Sequence, residues 1–490
     1  MAGVAKSEDK RWLILVILAI AQLMVVLDAT IVNIALPSAQ EALGFSESAR
    51  QWIITAYSLT FGSLLLLGGR ISDIFGRKWT FVGGLIGFAI ASAIGGSAPS
   101  FGVLVVARGV QGLFGAILAP AALSLLTVTF TDPKERGKAF GVFGAVAGSG
   151  AAVGLLLGGI LTQYLSWRWC LYVNLLFAAI AVFGALMLME NHRTEGEAHL
   201  DVPGTVLATG GLFCLVYGLS NAQTHSWTAG LTLAMFAVAL ITLTGFVLVE
   251  IRAKHPLLPL SVVLDRNRGA SYIVVALAAI AIFAVFLFLT YYLQQNLGYS
   301  PVTTGLAFLP MVACIMFTSI TSNVKLMPLV GPKPLVTAGC VLGAAGMFFL
   351  TGLGPNESYV GSILPALILA GLGFGLIFAP SIATATLGVS EDEAGIASAM
   401  VNTSQQVGGS IGVALLSTIS ASAIASQLSG LASQPTPADV LAANVHGYTT
   451  CFYWAGGIFV LAAICAFGLL RPQARAPAPG VPVEATPTAA

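Results

Sequence analysis

The chain has 490 residues, of which 57% are hydrophobic and only 8% charged, with a formal net charge of +1. A soluble globular protein carries about 25% charged residues, so the composition excludes an ordinary water-soluble domain. Nothing in it points to a nucleic-acid partner; the solvent it fits is lipid.

A membrane helix needs about 20 apolar residues, because the hydrocarbon core is about 30 Å thick and a helix rises about 1.5 Å per residue. Fourteen such runs occur, at 12–36, 50–69, 79–98, 102–126, 139–162, 169–189, 202–220, 229–249, 270–295, 302–323, 335–353, 360–384, 396–424 and 448–470. The expected fold is an all-α integral membrane protein with 14 transmembrane helices. The first run is too long for a cleaved signal peptide and carries Asp28. Placing the N-terminus in the cytoplasm puts every Lys and Arg on inner segments except Arg50, Arg168 and the intramembrane Arg108. This positive-inside bias needs an even number of spans. It predicts a cell-membrane protein with both termini cytoplasmic.

The segments between spans are short. The longest is expected at 425–446, and a Pro- and Ala-rich tail at 472–490 is expected to be disordered. All six Cys fall within apolar runs, where a free, buried thiol is the ordinary state. The loop Gly69-Arg-Ile-Ser-Asp-Ile-Phe-Gly-Arg-Lys78 shares Gly76 and Lys78 with Gly331 and Lys333 of Val324-Lys-Leu-Met-Pro-Leu-Val-Gly-Pro-Lys333, at a shift of 255 residues. Repeated halves around a central site are the usual build of a secondary transporter. The division expected is a six-helix bundle over 1–190, a linking pair of helices over 191–267 and a second six-helix bundle over 268–471.

Asp28 is the one acid deep inside an apolar run, and Arg108 the one base. Span 1 leaves the membrane near Leu36, so Asp28 lies about 12 Å below that end. Span 4 enters near Gly102, which puts Arg108 about 9 Å below the same face. Similar depth permits an ion pair, and an unpaired ion there would cost several kcal/mol. Burial disfavours an ionised carboxylate while a guanidinium favours it. A conformational change that alters either influence loads or releases a proton. Asp28 is therefore the expected protonation site and Arg108 its regulator, with Gln111 and Asn33 lining the same cavity. The alternative is a static pair that fixes helix 1 against helix 4.

Span 5 carries Gly150, Gly154 and Gly158 four residues apart, followed by Gly159. Such stripes let helices pack closely in lipid. In span 13, Asn402, Gln405 and Gln406 make a helix too polar for a lipid face, so they are expected to face a cavity or another helix. Tyr292 and Gln295 at the end of span 9 are the expected substrate contacts of an aromatic group that otherwise reads as an interface belt.

Several stretches carry a family resemblance. They are Leu27-Asp28-Ala-Thr30-Ile-Val-Asn33-Ile-Ala-Leu-Pro37, the loop 69–78, Arg108-Gly-Val-Gln111-Gly112, Leu297-Gly-Tyr-Ser-Pro301 and Asn402-Thr-Ser-Gln-Gln-Val-Gly-Gly409. With them the chain resembles the major facilitator superfamily, and within it the fourteen-helix drug:proton antiporters. The resemblance implies a cytosolic latch at Gly69, Asp73, Gly76, Arg77 and Lys78, with Asp73 and Arg77 stabilising an outward-facing state. Two departures stand out. Leu155 replaces the Pro of the family's span 5 motif in Gly154-Leu155-Leu-Leu-Gly158-Gly159. Leu176 replaces a second Pro in Trp167-Arg-Trp-Cys-Leu-Tyr-Val-Asn-Leu-Leu176.

No phosphate-binding GxxxxGK[ST] loop occurs, and all five His lie in loops or at span ends. The expectation is a transporter driven by protons, with no cofactor and no enzymatic activity, acting as a monomer in a bacterial cell membrane. Its substrates are expected to be lipophilic and neutral or monocationic, because one deep carboxylate balances one charge. A proton-coupled importer or facilitator of a metabolite on the same fold is the nearer alternative. A membrane scaffold or lipid-processing enzyme is the more distant one.

Overall fold

In lipid a backbone segment must satisfy its own hydrogen bonds, so apolar runs become helices. A computed structural model describes residues 2–45, 47–190, 201–253, 256–390, 393–430 and 434–472. The spanning helices are α1 (Ala2–Leu43), α2 (Glu47–Phe75), α3 (Arg77–Gly96), α4 (Phe101–Thr129), α5 (Pro133–Tyr164), α6 (Trp169–Leu188), α7 (Val202–Thr224) and α8 (Gly230–Arg252). They continue with α9 (Arg266–Asn296), α10 (Val302–Val330), α11 (Pro332–Leu350), α12 (Tyr359–Ala385), α13 (Ala394–Ser429) and α14 (Pro437–Leu469). Thirteen are single helices long and apolar enough to cross a bilayer. The fourteenth, α5, consists of Pro133–Gly150 and Val153–Tyr164, inclined at 48°. No strand occurs among the described residues.

The bend in α5 lies just before Leu155, where the resemblance puts the missing Pro. The helix therefore changes direction without a proline, at a stretch crowded with glycine. Glycines along α5 bring it close to helices on two sides. Gly150, Gly154 and Gly158 face Val26, Thr30 and Ile31 of α1. Gly137, Gly141, Gly144 and Gly148 face Asn323, Ile320, Ala379 and Ile315 on α10 and α12. Glycine removes the side chain that would hold the backbones apart. A Cβ at Gly144 would lie 2.7 Å from the Ala379 Cα. Gly144→Leu is expected to cost about 1–3 kcal/mol by overpacking, read as a lower thermal midpoint of the detergent-solubilised protein. Gly83→Ala, with open space around it, is expected to leave that midpoint unchanged.

Helices α1 to α6 pack on one another, as do α9 to α14, while α7 and α8 pair and α7 rests on both α2 and α13. The two sets meet through α5 against α10 and α12, and through α13 against α2 and α4. The two glycines shared by the similar loops have similar backbone angles: Gly76 has φ 90° and Gly331 has φ 75°, each beginning a helix. These angles favour glycine.

Three expectations are corrected. The loop expected over 425–446 is much shorter, because α13 runs to Ser429 and α14 begins at Pro437. Thr436 and Asp439 form a reciprocal cap there. Helix α2 likewise extends to Phe75, so the turn into α3 is Gly76 alone. Gly69, expected to open the loop 69–78, lies inside α2 and has no positive φ. The tail from residue 473 and the segment 191–200 lie outside the described residues.

Candidate functional site

Arg108 and Gln111 are three residues apart on α4 and so share a face. Gly112 beside them has no room for a side chain, since a Cβ would strike Thr60 and the Tyr57 carbonyl. That close crossing carries Tyr57 of α2 over the guanidinium, whose carbon lies 4.3 Å from the ring centroid. On the other side, Gly154 and Gly158 seat α1 against α5. Asp28 is thereby aimed between α3, α4 and α6.

The result is a buried polar network. Asp28, at 0% exposure, accepts from Arg108 Nη1 at 2.5 Å, Asn174 Nδ2 at 2.7 Å and Gln111 Nε2 at 3.1 Å. Arg108 also donates to Gln111 Oε1 at 2.8 Å. Gln111 Nε2 donates to Ser92 Oγ at 2.6 Å, and Asn174 Nδ2 reaches the same oxygen at 3.3 Å. Three donors thus converge on one carboxyl. Three polar atoms of this group are buried without a partner: Arg108 Nε, Asn174 Oδ1 and Tyr57 Oη.

Asp28, Arg108 and Gln111 are thus together. The side chain of Asn33 lies outside the described residues. Tyr57, Ser92 and Asn174 belong to the network and were not picked out by sequence reasoning. For Asn174 a signal existed, since it is the one side-chain amide of α6. A lone Ser or Tyr in an apolar helix gives no such signal.

The other candidates lie elsewhere. Tyr292 is wholly buried and its hydroxyl donates to the Gly354 carbonyl at 2.7 Å. Gln295 is exposed and accepts from the Tyr448 hydroxyl at 3.0 Å. The two were expected together as substrate contacts, but residues Tyr292–Asn296 form a π-helical turn whose side-chain angles differ from those of an α-helix. Asn402 donates back to the Ser398 carbonyl at 2.9 Å. Gln405 and Gln406 are half-buried, and Gln406 rests on Gly62 of α2, across the junction between the two helix sets. Gly408 and Gly412 of α13 press on Ala276 and Ile280 of α9. Gly159 is buried beside the α1-facing stripe.

At the end of the bundle where α2 turns into α3, Asp73 and Arg77 are buried and 4.0 Å apart. The Asp73 carboxyl sits over Gly395 in the first turn of α13, where a helix N-terminus favours negative charge. Lys78 donates to the Leu186 and Met189 carbonyls at the end of α6, at 3.2 and 2.7 Å. Among the described residues a third buried acid joins Asp28 and Asp73. Glu250, near the end of α8, accepts from the Leu257 and Leu258 amides at 3.2 and 3.1 Å. The described residues include no cluster suited to a metal ion.

Comparison with known proteins agrees with this architecture. The structure of the human organic anion transporter MFSD10 superposes with a TM-score of 0.64 at 15% identity, covering 93% of this chain and 99% of that one. The puromycin resistance protein pur8 of Streptomyces alboniger is 49% identical over 471 residues, 96% of this chain and 93% of its own length. The cephamycin export protein CmcT of Amycolatopsis lactamdurans is 38% identical over 422 residues, 86% of this chain and 87% of its own. The model of the Major Facilitator Superfamily matches residues 18–413. With fourteen spans and a match across most of its length, the chain belongs to the Major Facilitator Superfamily of membrane transporters.

Proposed function

We propose that this chain exports antibiotic-like small molecules from the cell in exchange for protons, with Asp28 as the proton-carrying group. The observation that carries the proposal is the carboxylate of Asp28, fully enclosed and held by Arg108, Gln111 and Asn174. A charge is expensive at that depth. Replacing a merely structural buried pair by apolar packing is often neutral or stabilising, so retaining it suits a group whose charge changes. Relatives named for puromycin resistance and cephamycin export support the substrate class. The distribution of Lys and Arg supports an orientation with both termini in the cytoplasm. The end bearing Asp73 and Gly395 then faces the cytoplasm, and the close junction of α2 with α13 there fits an outward-facing state.

Of the three buried acids, Asp73 holds its carboxyl over the start of α13 and Glu250 accepts two backbone amides. That leaves Asp28 to balance a substrate's charge. Neutral molecules and monocations are the fitting substrates, and dications are expected to move at least tenfold more slowly. The test uses purified protein in vesicles, with puromycin as the first probe. An exporter releases protons from an acid-loaded compartment when puromycin is added outside. Cotransport of proton and puromycin in one direction would reverse the assignment, and movement of neither would remove puromycin as a substrate.

A further inference from the structure

The groups bonded to Asp28 all donate to it, which serves a carboxylate and leaves a carboxylic acid's proton without an acceptor. Protonation converts one carboxyl oxygen from acceptor to donor. A buried O–H then needs an acceptor, or its desolvation goes uncompensated. Arg108 offers donors alone. Gln111 has both ends engaged, its Oε1 with Arg108 and its Nε2 with Asp28 and Ser92. Asn174 differs. Its Nδ2 lies 2.7 Å from Asp28 Oδ1, while its Oδ1 is buried and accepts from nothing. Rotation about the last side-chain bond exchanges the two ends of the amide, and that torsion is broad and roughly two-fold.

We propose that Asn174 serves both protonation states of Asp28: its amide nitrogen donates to the carboxylate, and after a half-turn its amide oxygen accepts the proton of the carboxylic acid. Asn174 is then a positioning residue that sets the proton affinity of Asp28. The proposal rests on Asp28 being the proton-carrying group. The other ionisable groups that face Asp28 are Arg108 from α4, Tyr57 from α2 and Cys170 from α6. Helix α3 presents Ser92 and α5 presents Gly154, neither of which titrates in this range.

The test is pH-difference infrared spectroscopy on the purified full chain, with asparagine isotopically labelled at its side-chain carbonyl. Three results are expected. Acidification produces a carboxylic-acid carbonyl band that is missing in Asp28→Asn. An asparagine carbonyl band shifts with it, and that shift is missing in Asn174→Leu. The midpoint of the Asp28 band in Asn174→Leu moves to higher pH, a gain of about tenfold in proton affinity, because the lost charge-assisted bond outweighs the lost neutral one. A structural asparagine would change the yield of folded protein but neither band nor midpoint. An Asp28 band without an asparagine shift, or with an unmoved midpoint, overturns the role of Asn174 alone. The labelled wild-type protein decides this even if Asn174→Leu does not fold. No Asp28-dependent band at all overturns the proton-site assignment on which it rests.

Discussion

Asp28→Asn is expected to reduce transport driven by an imposed pH gradient to background while the helices remain inserted. The substitution keeps the side chain's shape and one acceptor oxygen, removes the ability to ionise, and puts an NH2 donor where a second oxygen accepted. Its structural cost falls on Arg108. That guanidinium is 2% exposed and loses its counter-charge, keeping the Gln111 oxygen and the face of Tyr57. Stranding a buried charge costs about 3–5 kcal/mol in soluble proteins, so a lower thermal midpoint is expected along with the loss of coupling. The two effects separate in the double variant Asp28→Asn with Arg108→Gln, which strands no charge. The double variant should regain thermal stability and remain uncoupled. Preserved transport with a normal pH dependence in Asp28→Asn would end the assignment of Asp28 as the proton site.

The ion pair was legible in the sequence because lipid makes charge scarce. One acid and one base at matching depth leave few other partners, and arithmetic on the helix rise brings them together. Span number was legible for the same reason. Gln111 was legible one turn from Arg108, and Asn174 carried a signal as the one side-chain amide of α6, but Tyr57 and Ser92 were hidden by their ordinary types. Tyr57 and Ser92 are common in apolar helices, and only the crossing at Gly112 and the packing of α3 on α4 and α6 bring them to Arg108 and Asp28. Backbone departures were also hidden. The π-turn at Tyr292–Asn296 puts Tyr292 inside and Gln295 outside, which a regular helical count cannot foresee. At Gly69 the sequence marked an unusual position but not its cause. The glycine is needed for a close approach of two helices, not for a turn.

That approach leads to the second large effect. A Cβ on Gly395 would lie 2.5 and 2.6 Å from the Asp73 carboxyl oxygens and 2.6 Å from the Gly69 carbonyl. A Cβ on Gly69 would in turn lie 2.7 Å from the Gly395 carbonyl. The crossing is reciprocal, and its two sides are backbone, which has little freedom to yield. The two helices belong to different sets, so the strain of Gly395→Val is relieved by separating the sets at that end. Their own cores stay intact. Overpacking of this kind costs about 1–3 kcal/mol, which corresponds to about a five- to 150-fold shift in a two-state equilibrium. Paired spin labels on the neighbouring ends of α2 and α13 are expected to report a longer distance in Gly395→Val and slower export. Gly83→Val, at an open position of α3, is expected to change neither. An unchanged distance with undiminished transport would mean that this junction does not gate the cycle. Asp73→Asn supplies the electrostatic half of the test. It leaves the glycine contact intact and removes the negative charge at the start of α13. If the helix terminus contributes to closure, it should open the same end by a smaller amount.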